Sequence, residues 1–290
     1  MARKTFSDAE RAEYRAAKRA QQREDLERAA RALLSSDGWR QWAETRASFH
    51  DYSLGNCMLI AMQCPEATHV AGFHHWRELG RQVRKGQHGI RILAPMVVGG
   101  EKDERRELRA GREPAERSED GPRVLFRSVS VFDISQTDGE PLPEIPREPI
   151  DGDSHAAYVP RLEAWARAHG IAIEREPLES AGGYYSERDE RPRVVIAERL
   201  EAPNRVLRTL LHELAHARGA RMVDVGGREC AEVIAETAAF IAAGAIGLDT
   251  SGEAVPYVAH WGESGELDAI RKRAELVDGI ARELEGACKD

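Results

Sequence analysis

His212-Glu213-Leu214-Ala215-His216 constrains this chain more than any other feature. Leu207, Leu210, Leu211 and Leu214 recur around it at helical spacing, so the stretch from about Pro203 to Arg218 reads as an amphipathic helix. Residues four apart share a helix face, which sets two imidazoles one turn apart with a carboxylate between them. At about 100° per residue the leucines gather on one side and the two histidines fall nearly opposite. Both rings then reach a single Zn²⁺, while Glu213, roughly a quarter turn away, takes a proton from the water such a metal holds. The competing reading is two histidines on a solvated face, because so short a pattern also arises by chance.

A second segment supplies something for that pair to converge on. From Ala231 to Ile246 the chain is almost wholly apolar, which predicts a helix buried all round. Glu232 and Glu236 nevertheless sit inside it, with Glu229 just ahead. Positions 229, 232 and 236 follow the spacing of one helix face, and a buried carboxylate is costly unless a cation or hydrogen-bond donors meet it. Sixteen residues separate His216 from Glu232, room for a turn at Gly219 or Gly226-Gly227 and an antiparallel return. His212, His216 and Glu232 with a water would form the open arrangement of a catalytic zinc. Glu236, one turn further on, would orient a ligating histidine, and Glu229 and Glu236 stand as rival ligands. Glu229 also reads as an N-terminal acid favouring the helix dipole. Tyr184, Tyr185, Tyr257 and His260 are candidates for stabilising an oxyanion, each equally readable as packing.

Charge divides the chain. The whole carries −8, which by itself argues against nucleic acid as a partner. Residues 1–150, however, hold 25 Lys and Arg against 24 Asp and Glu, and the remainder 17 against 26. Within the first half, Arg77, Arg81, Arg84, Lys85 and Arg91 face Glu78 alone, the local footprint a phosphate backbone needs. With 290 residues and 41% hydrophobic content there is room for two modest domains. No apolar run approaches the ~20 residues of a membrane span, and the first residues lack the apolar segment of a signal peptide. A cytoplasmic protein with no membrane partner is expected. Cys57, Cys64, Cys230 and Cys288 form no C-x-x-C pair, and reduced thiols are expected.

Along the chain, residues 7–35 read as a long charged helix capped by Ser7 with Glu10 at capping-box spacing, either solvated, frayed or a partner helix. A helical stretch follows from Trp39 to Gln63, broken near Tyr52-Ser53 and stopped by Pro65. Val70–Phe73, Ile90–Val98 and Val124–Ile134 have strand composition, with one helical turn over Trp76–Gly80. Glu101–Gly121 reads as a charged insertion between two strands. Pro141, Pro143, Pro146 and Pro149 mark a linker. Beyond it come a helix from about Ala156 to His169, short strands near Ile171, Gly183 and Val194, the histidine helix, the glutamate helix and a final amphipathic helix from about Glu266 to Leu284. The expected class is α+β. Its parts are a charged helix over 1–37, a mixed helix and sheet domain over 38–140, a linker over 141–154 and a domain over 155–290 with a small sheet and the two site helices.

The order helix, small sheet, H-E-x-x-H helix, glutamate helix resembles the zincin-like metallopeptidases of the ImmA/IrrE group. Their third ligand lies in a pattern like E-x-x-A-N, to which Glu232-Val233-Ile234-Ala235-Glu236 is similar except for its last residue, and the resemblance implies Glu232 as ligand. Tyr52-Ser53-Leu54-Gly55-Asn56, Trp76, Gly80-Arg81-Gln82-Val83-Arg84-Lys85-Gly86 and Val131-Phe132-Asp133-Ile134-Ser135-Gln136-Thr137 are similar to the single-stranded-DNA-binding domain of ArdC-type antirestriction proteins, which join these two domains in this order. Single strands are held by a basic groove and by aromatic faces on which bases stack. Trp76, Arg77, Arg81, Arg84, Lys85, Arg91, Asn56 and Tyr52 are the candidate nucleic-acid contacts. Trp39, Trp42 and Phe73 fit the core better.

These readings together predict a DNA-associated zinc metalloendopeptidase with single-stranded DNA and a protein or peptide as partners. The resemblance adds an antirestriction or DNA-protection role on a mobile element or phage. Two alternatives stay open: a non-catalytic single-strand protector with a structural zinc, and a regulatory protease that cuts a repressor without DNA.

Overall fold

The computed structural model describes residues 8–98, 123–142, 148–187, 191–219, 227–250 and 267–289. Helices and mostly antiparallel sheets mix throughout, as expected for α+β. The chain divides into two compact units, one formed by Met1–Gln22 with Val70–Glu140 and the other by Arg23–His69 with Pro141–Asp290.

The smaller unit is built on a three-stranded antiparallel sheet in which β4 (Arg123–Asp133) lies between β1 (Val70–Gly72) and β3 (Ile90–Val98). Alternation along the strands sends Ile90, Ile92 and Val131 to a buried face and Arg91 and Ser130 to an exposed one. The short helix α4 (Phe73–Glu78) places Trp76 in the core, 1% exposed, where its indole N–H donates to the carbonyl of Phe132 at 2.8 Å. A second ladder pairs β2 (Arg81–Val83) with β5 (Thr137–Gly139), an element that the strand composition of the sequence did not announce. Gly139 has φ +145, and a Cβ there would meet the Gly80 carbonyl at 2.5 Å. The two strands close over a glycine because only a residue without a side chain fits. The charged insertion expected over Glu101–Gly121 lies outside the described residues.

The larger unit wraps helices around the glutamate helix. Helix α1 (Asp8–Ala32) contributes its C-terminal end to this unit, where Ala29, Ala30 and the following Leu33 are buried. That end is packed within the chain, where the sequence alone left the helix solvated, frayed or set against a partner. Helix α2 (Ser36–Ser48) is capped by Ser35, whose hydroxyl accepts from the Gly38 amide. Helix α3 (Leu54–Gln63) is capped in the same way by Ser53. A mixed sheet sets β9 (Arg193–Ala197) between β7 (Ala172–Glu176), parallel to it, and β8 (Gly183–Ser186), antiparallel. Helices α5 (Tyr158–Ala168), α6 (Pro203–Gly219), α7 (Arg228–Ala245) and α8 (Leu267–Lys289) complete it. Leu207, Leu210, Leu211 and Leu214 on α6, and Ala238, Ala239, Ala242 and Ala243 on α7, are fully buried.

Small residues let these elements approach closely. A Cβ on Gly244 of α7 would lie 2.8 Å from the Ala47 Cβ of α2, and one on Gly183 would lie 2.8 Å from Thr209 of α6. Two polar ties fix α2 against the rest of its unit. The Trp39 indole N–H donates to the Thr237 hydroxyl of α7 at 3.0 Å. Arg46, with no exposed surface, bonds Asp278 and Glu285 of α8 at 2.5 and 3.0 Å. Helices over 36–63, grouped by the sequence with the first domain, therefore belong to the compact unit that carries the histidines. Burial decides this, since α2 offers Trp39, Trp42, Ala43 and Ala47 to a core that α7 and α8 supply.

The end of the proline-rich segment is also tied down. Strand β6 (Glu148–Pro149) pairs in parallel with β10 (Leu248–Asp249), and Asn204 on α6 donates to the Pro149 carbonyl at 2.8 Å. The His155 amide donates to the Asn204 carboxamide at 2.9 Å. These bonds hold residues 148–155 at the start of α6, so this stretch acts as an anchor and not as a free spacer. All four cysteines are free. No helix among the described residues is long and apolar enough to cross a membrane.

Candidate metal centre

Helix α6 is buried on nearly every side, and His212 and His216 are its half-exposed positions beside the α7 face that bears the glutamates. Their Nε2 atoms face each other at 3.2 Å, with the rings nearly perpendicular at 83°. Glu232 of α7 spans both: one oxygen lies 3.3 Å from His212 Nε2 and the other 3.2 Å from His216 Nε2. A tetrahedral zinc with ligands at 2.0–2.1 Å requires ligand atoms about 3.3–3.4 Å apart. The two nitrogens, 3.2 Å apart, fit that requirement, and a Glu232 oxygen lies at a similar distance from each of them. Two imidazole nitrogens and a carboxylate also match zinc's preference for mixed nitrogen and oxygen donors.

Glu236, one turn beyond, does something else. Its Oε2 lies 2.7 Å from His212 Nδ1, on the far side of the ring from Nε2, and its Oε1 bonds the Arg208 guanidinium. A ring that donates from Nδ1 keeps its Nε2 lone pair for a metal. Glu229 is exposed at the first turn of α7, consistent with a helix-dipole acid.

Glu213 is 7% exposed and also brings an oxygen within 4.8 Å of the histidine nitrogens. His212, Glu213 and His216 thus form one close set of potential ligands, and Glu232 reaches both rings at 3.3 and 3.2 Å, which leaves one carboxylate spanning the nitrogens and another beside them. Burial pushes the Glu213 carboxyl up to about 7, and the neighbouring Glu232 charge adds to the rise; His212, the Tyr185 amide and Arg208 oppose it. Burial also disfavours charge on Glu236, but the bond to His212 and the Arg208 cation outweigh it and hold that carboxyl below the usual range. On His212 the penalty of burial is overcome by Glu236 and Glu213, and the ring titrates above its ordinary value. Burial and the adjacent His212 keep His216 below its own. One carboxyl is thus poised to hold a proton near neutrality while the other stays charged, a contrast that separates acid-base from positioning roles.

The tyrosine candidates separate as well. The Tyr185 amide donates to Glu213, so β8 borders the site through its backbone. Tyr184, on the opposite face of the strand, bonds Glu176 at 3.1 Å and takes part in a cluster with Arg193. Tyr257 and His260 lie outside the described residues. Sequence reasoning missed Arg208, placed on α6 one turn before His212 and 7% exposed. The available signal was spacing, since position 208 lies one turn before His212 on the histidine face, where a cation can meet a carboxylate of the glutamate helix.

The candidate nucleic-acid residues are divided between the two units. Asn56 and Tyr52 belong to the larger unit, whereas Arg77, Arg81, Arg84, Lys85 and Arg91 belong to the smaller. Asn56 is 9% exposed, and the Tyr52 carbonyl accepts from Arg282 at 2.7 Å. Trp76 requires correction as a stacking platform, because its ring is core and its N–H is already bonded. Arg81 bonds Thr137 and the carbonyls of Gly139 and Glu140, and Arg84 bonds the Ser135 carbonyl and Asp138. Arg77, Lys85 and Arg91 are exposed.

Residues 21–132 match the family model for the N-terminal domain of the anti-restriction factor ArdC. That segment includes α2 and α3 of the larger unit and the sheet of the smaller one. An uncharacterized protein of Bacillus anthracis is 25% identical over 260 residues, which are 80% of this chain and 44% of the relative. The chain thus spans less than half the length of that relative. Crystal structures of the antirestriction ArdC protein from the R388 plasmid align over 81% of this chain and 82% of theirs. The metal-free form gives a TM-score of 0.46 at 20% identity and the Mn(II)-bound form 0.42 at 22%.

Proposed function

We propose that this chain is a zinc-dependent metalloendopeptidase associated with single-stranded DNA, acting in antirestriction or DNA protection. One observation carries the enzymatic part: two helices bring the Nε2 atoms of His212 and His216 within 3.2 Å of each other and beside the Glu232 carboxylate, with Glu213 buried next to them. The match of residues 21–132 to the ArdC N-terminal domain supports the antirestriction part.

When bound, the metal would supply a Lewis acid that polarises a carbonyl and makes water nucleophilic near neutral pH. The chain's own residues do the rest. His212 and His216 would hold the cation through Nε2, and Glu232 would complete the protein's share of the coordination. The Glu213 carboxyl, buried beside the two histidines, is suited by position to take a proton from attacking water and return it to the leaving amine. Glu236 keeps His212 in the useful tautomer.

Elemental analysis of the full chain, paired with hydrolysis of a peptide library, tests this reading. One zinc per chain is expected, lost in His216→Ala and reduced in Glu232→Gln. Full zinc in His216→Ala would overturn the ligand set. Zinc at unit stoichiometry with no hydrolysis of any peptide, with or without single-stranded DNA, would favour the non-catalytic protector. Cleavage indifferent to added single strands would favour the regulatory protease.

A further inference from the structure

We infer that Arg208 is a positioning residue that assigns the two glutamates of α7 their separate tasks, Glu232 to the metal and Glu236 to the ring of His212. This rests on the metal-site reading above and concerns how that site is held.

Glu232 and Glu236 lie one turn apart on the same face of α7, and both approach His212. Chemically they are the same ligand, so sequence spacing cannot divide their roles. The geometry around Glu236 does. One of its oxygens lies 2.7 Å from His212 Nδ1, and the other is bonded by Arg208 Nη2. With both oxygens occupied, the carboxylate has no remaining freedom to swing towards the Nε2 side of the ring. Arg208 and His212 are four residues apart on α6, so they stand one above the other on one helix face. Glu236 reaches across from α7 and closes a three-member chain from guanidinium to carboxylate to imidazole.

Burial makes the arrangement interdependent. The Arg208 side chain is 8% exposed and that of Glu236 is 19%, against 56% for Glu232. A buried carboxylate stripped of its cation is strongly unfavourable, and the nearest alternative cation would be the metal itself. Without Arg208, Glu236 would turn to the metal, releasing the His212 ring and crowding Glu232. A neutral amide at position 236 would still accept from Nδ1 through its carbonyl oxygen and would need no counter-ion. The need for Arg208 at this carboxylate therefore falls when residue 236 is an amide.

The test compares wild type, Arg208→Met, Glu236→Gln and the double variant as full chains, each checked for folding by circular dichroism. Zinc affinity is measured by chelator competition, and the His212 tautomer by ¹⁵N NMR with the metal removed. Arg208→Met is expected to weaken zinc about 10–100-fold, the range for removing an outer-shell partner, and to lose the single Nδ1–H tautomer. In the Glu236→Gln background the same arginine substitution should cost at most a few-fold. Where Arg208→Met alone fails to fold, a folded double variant with near Glu236→Gln affinity supports the dependence just as well. Wild-type affinity and tautomer in Arg208→Met would overturn it. So would an equal loss in both backgrounds, or a double variant that also fails to fold, since Arg208 would then act independently of residue 236. Failure of wild type to bind zinc at all would instead remove the metal-site reading itself.

Discussion

The histidine centre between α6 and α7 and the basic stretch around β2 spend their charges in opposite ways. In the centre, polar side chains turn towards one another and leave two Nε2 atoms and a carboxylate pointing at a common position. In the basic stretch, Arg81 and Arg84 turn to carbonyls of Thr137, Ser135 and Gly139 and so brace β5 and the turn before it against β2. Charge that is buried needs a partner, and where the protein supplies only part of one, a ligand is implied. Charge near a surface is free to serve the fold. A run of arginines therefore says less about binding than a pair of half-buried histidines does.

The largest effect that tests this contrast is catalytic. Glu213→Gln keeps shape and metal but removes the proton acceptor, and hydrolysis should fall by about 10²–10⁴, the usual worth of a general base. Turnover on a responsive peptide, with zinc content measured in parallel, checks it, and retained turnover would end the assignment.

Next in size is a stability effect on the other side of the comparison. Trp76→Ala should destabilise the protein by about 3–5 kcal/mol, as truncating a buried aromatic does, whereas Phe126→Ala, 61% exposed, should stay within about 0.5 kcal/mol. Urea denaturation measures both. A Trp76→Ala protein of unchanged stability would make that ring a candidate for stacking on DNA once more.

Proton linkage gives a third measure. In metal-free protein the Glu213 carboxyl is raised to about 7, so folding takes up a proton there that the unfolded chain has already released. The resulting stability is full below the ordinary glutamate range and is lost as pH rises through about 7. Glu213→Gln should flatten that part of the stability profile. A wild-type profile already flat between those limits would show that Glu213 is not raised.

The smallest effect concerns DNA. If exposed cations of the smaller unit hold single strands, Arg77→Ala, Lys85→Ala and Arg91→Ala should each weaken binding alike for all sequences. Each should also lower the salt slope by about 0.7 for every phosphate no longer neutralised. Fluorescence titration at several salt concentrations reads both quantities. Unchanged slopes in the triple variant would leave the basic stretch as part of the fold alone.

The amino-acid order by itself determined whatever depends on local period. Spacing of four put His212 and His216 on one face, apolar runs marked α6, α7 and the strands β3 and β4, and prolines marked the joint near residue 149. Tertiary structure decided what depends on distant neighbours. It drew α2 and α3 to the unit of α7, where Trp39 finds Thr237 and Arg46 the acids of α8. It also buried Trp76, turned Arg81 and Arg84 onto β5, and set Arg208 behind Glu236 so that Glu232 faces the histidines. A helical period fixes which face a side chain occupies, but only packing against other elements determines what that face meets.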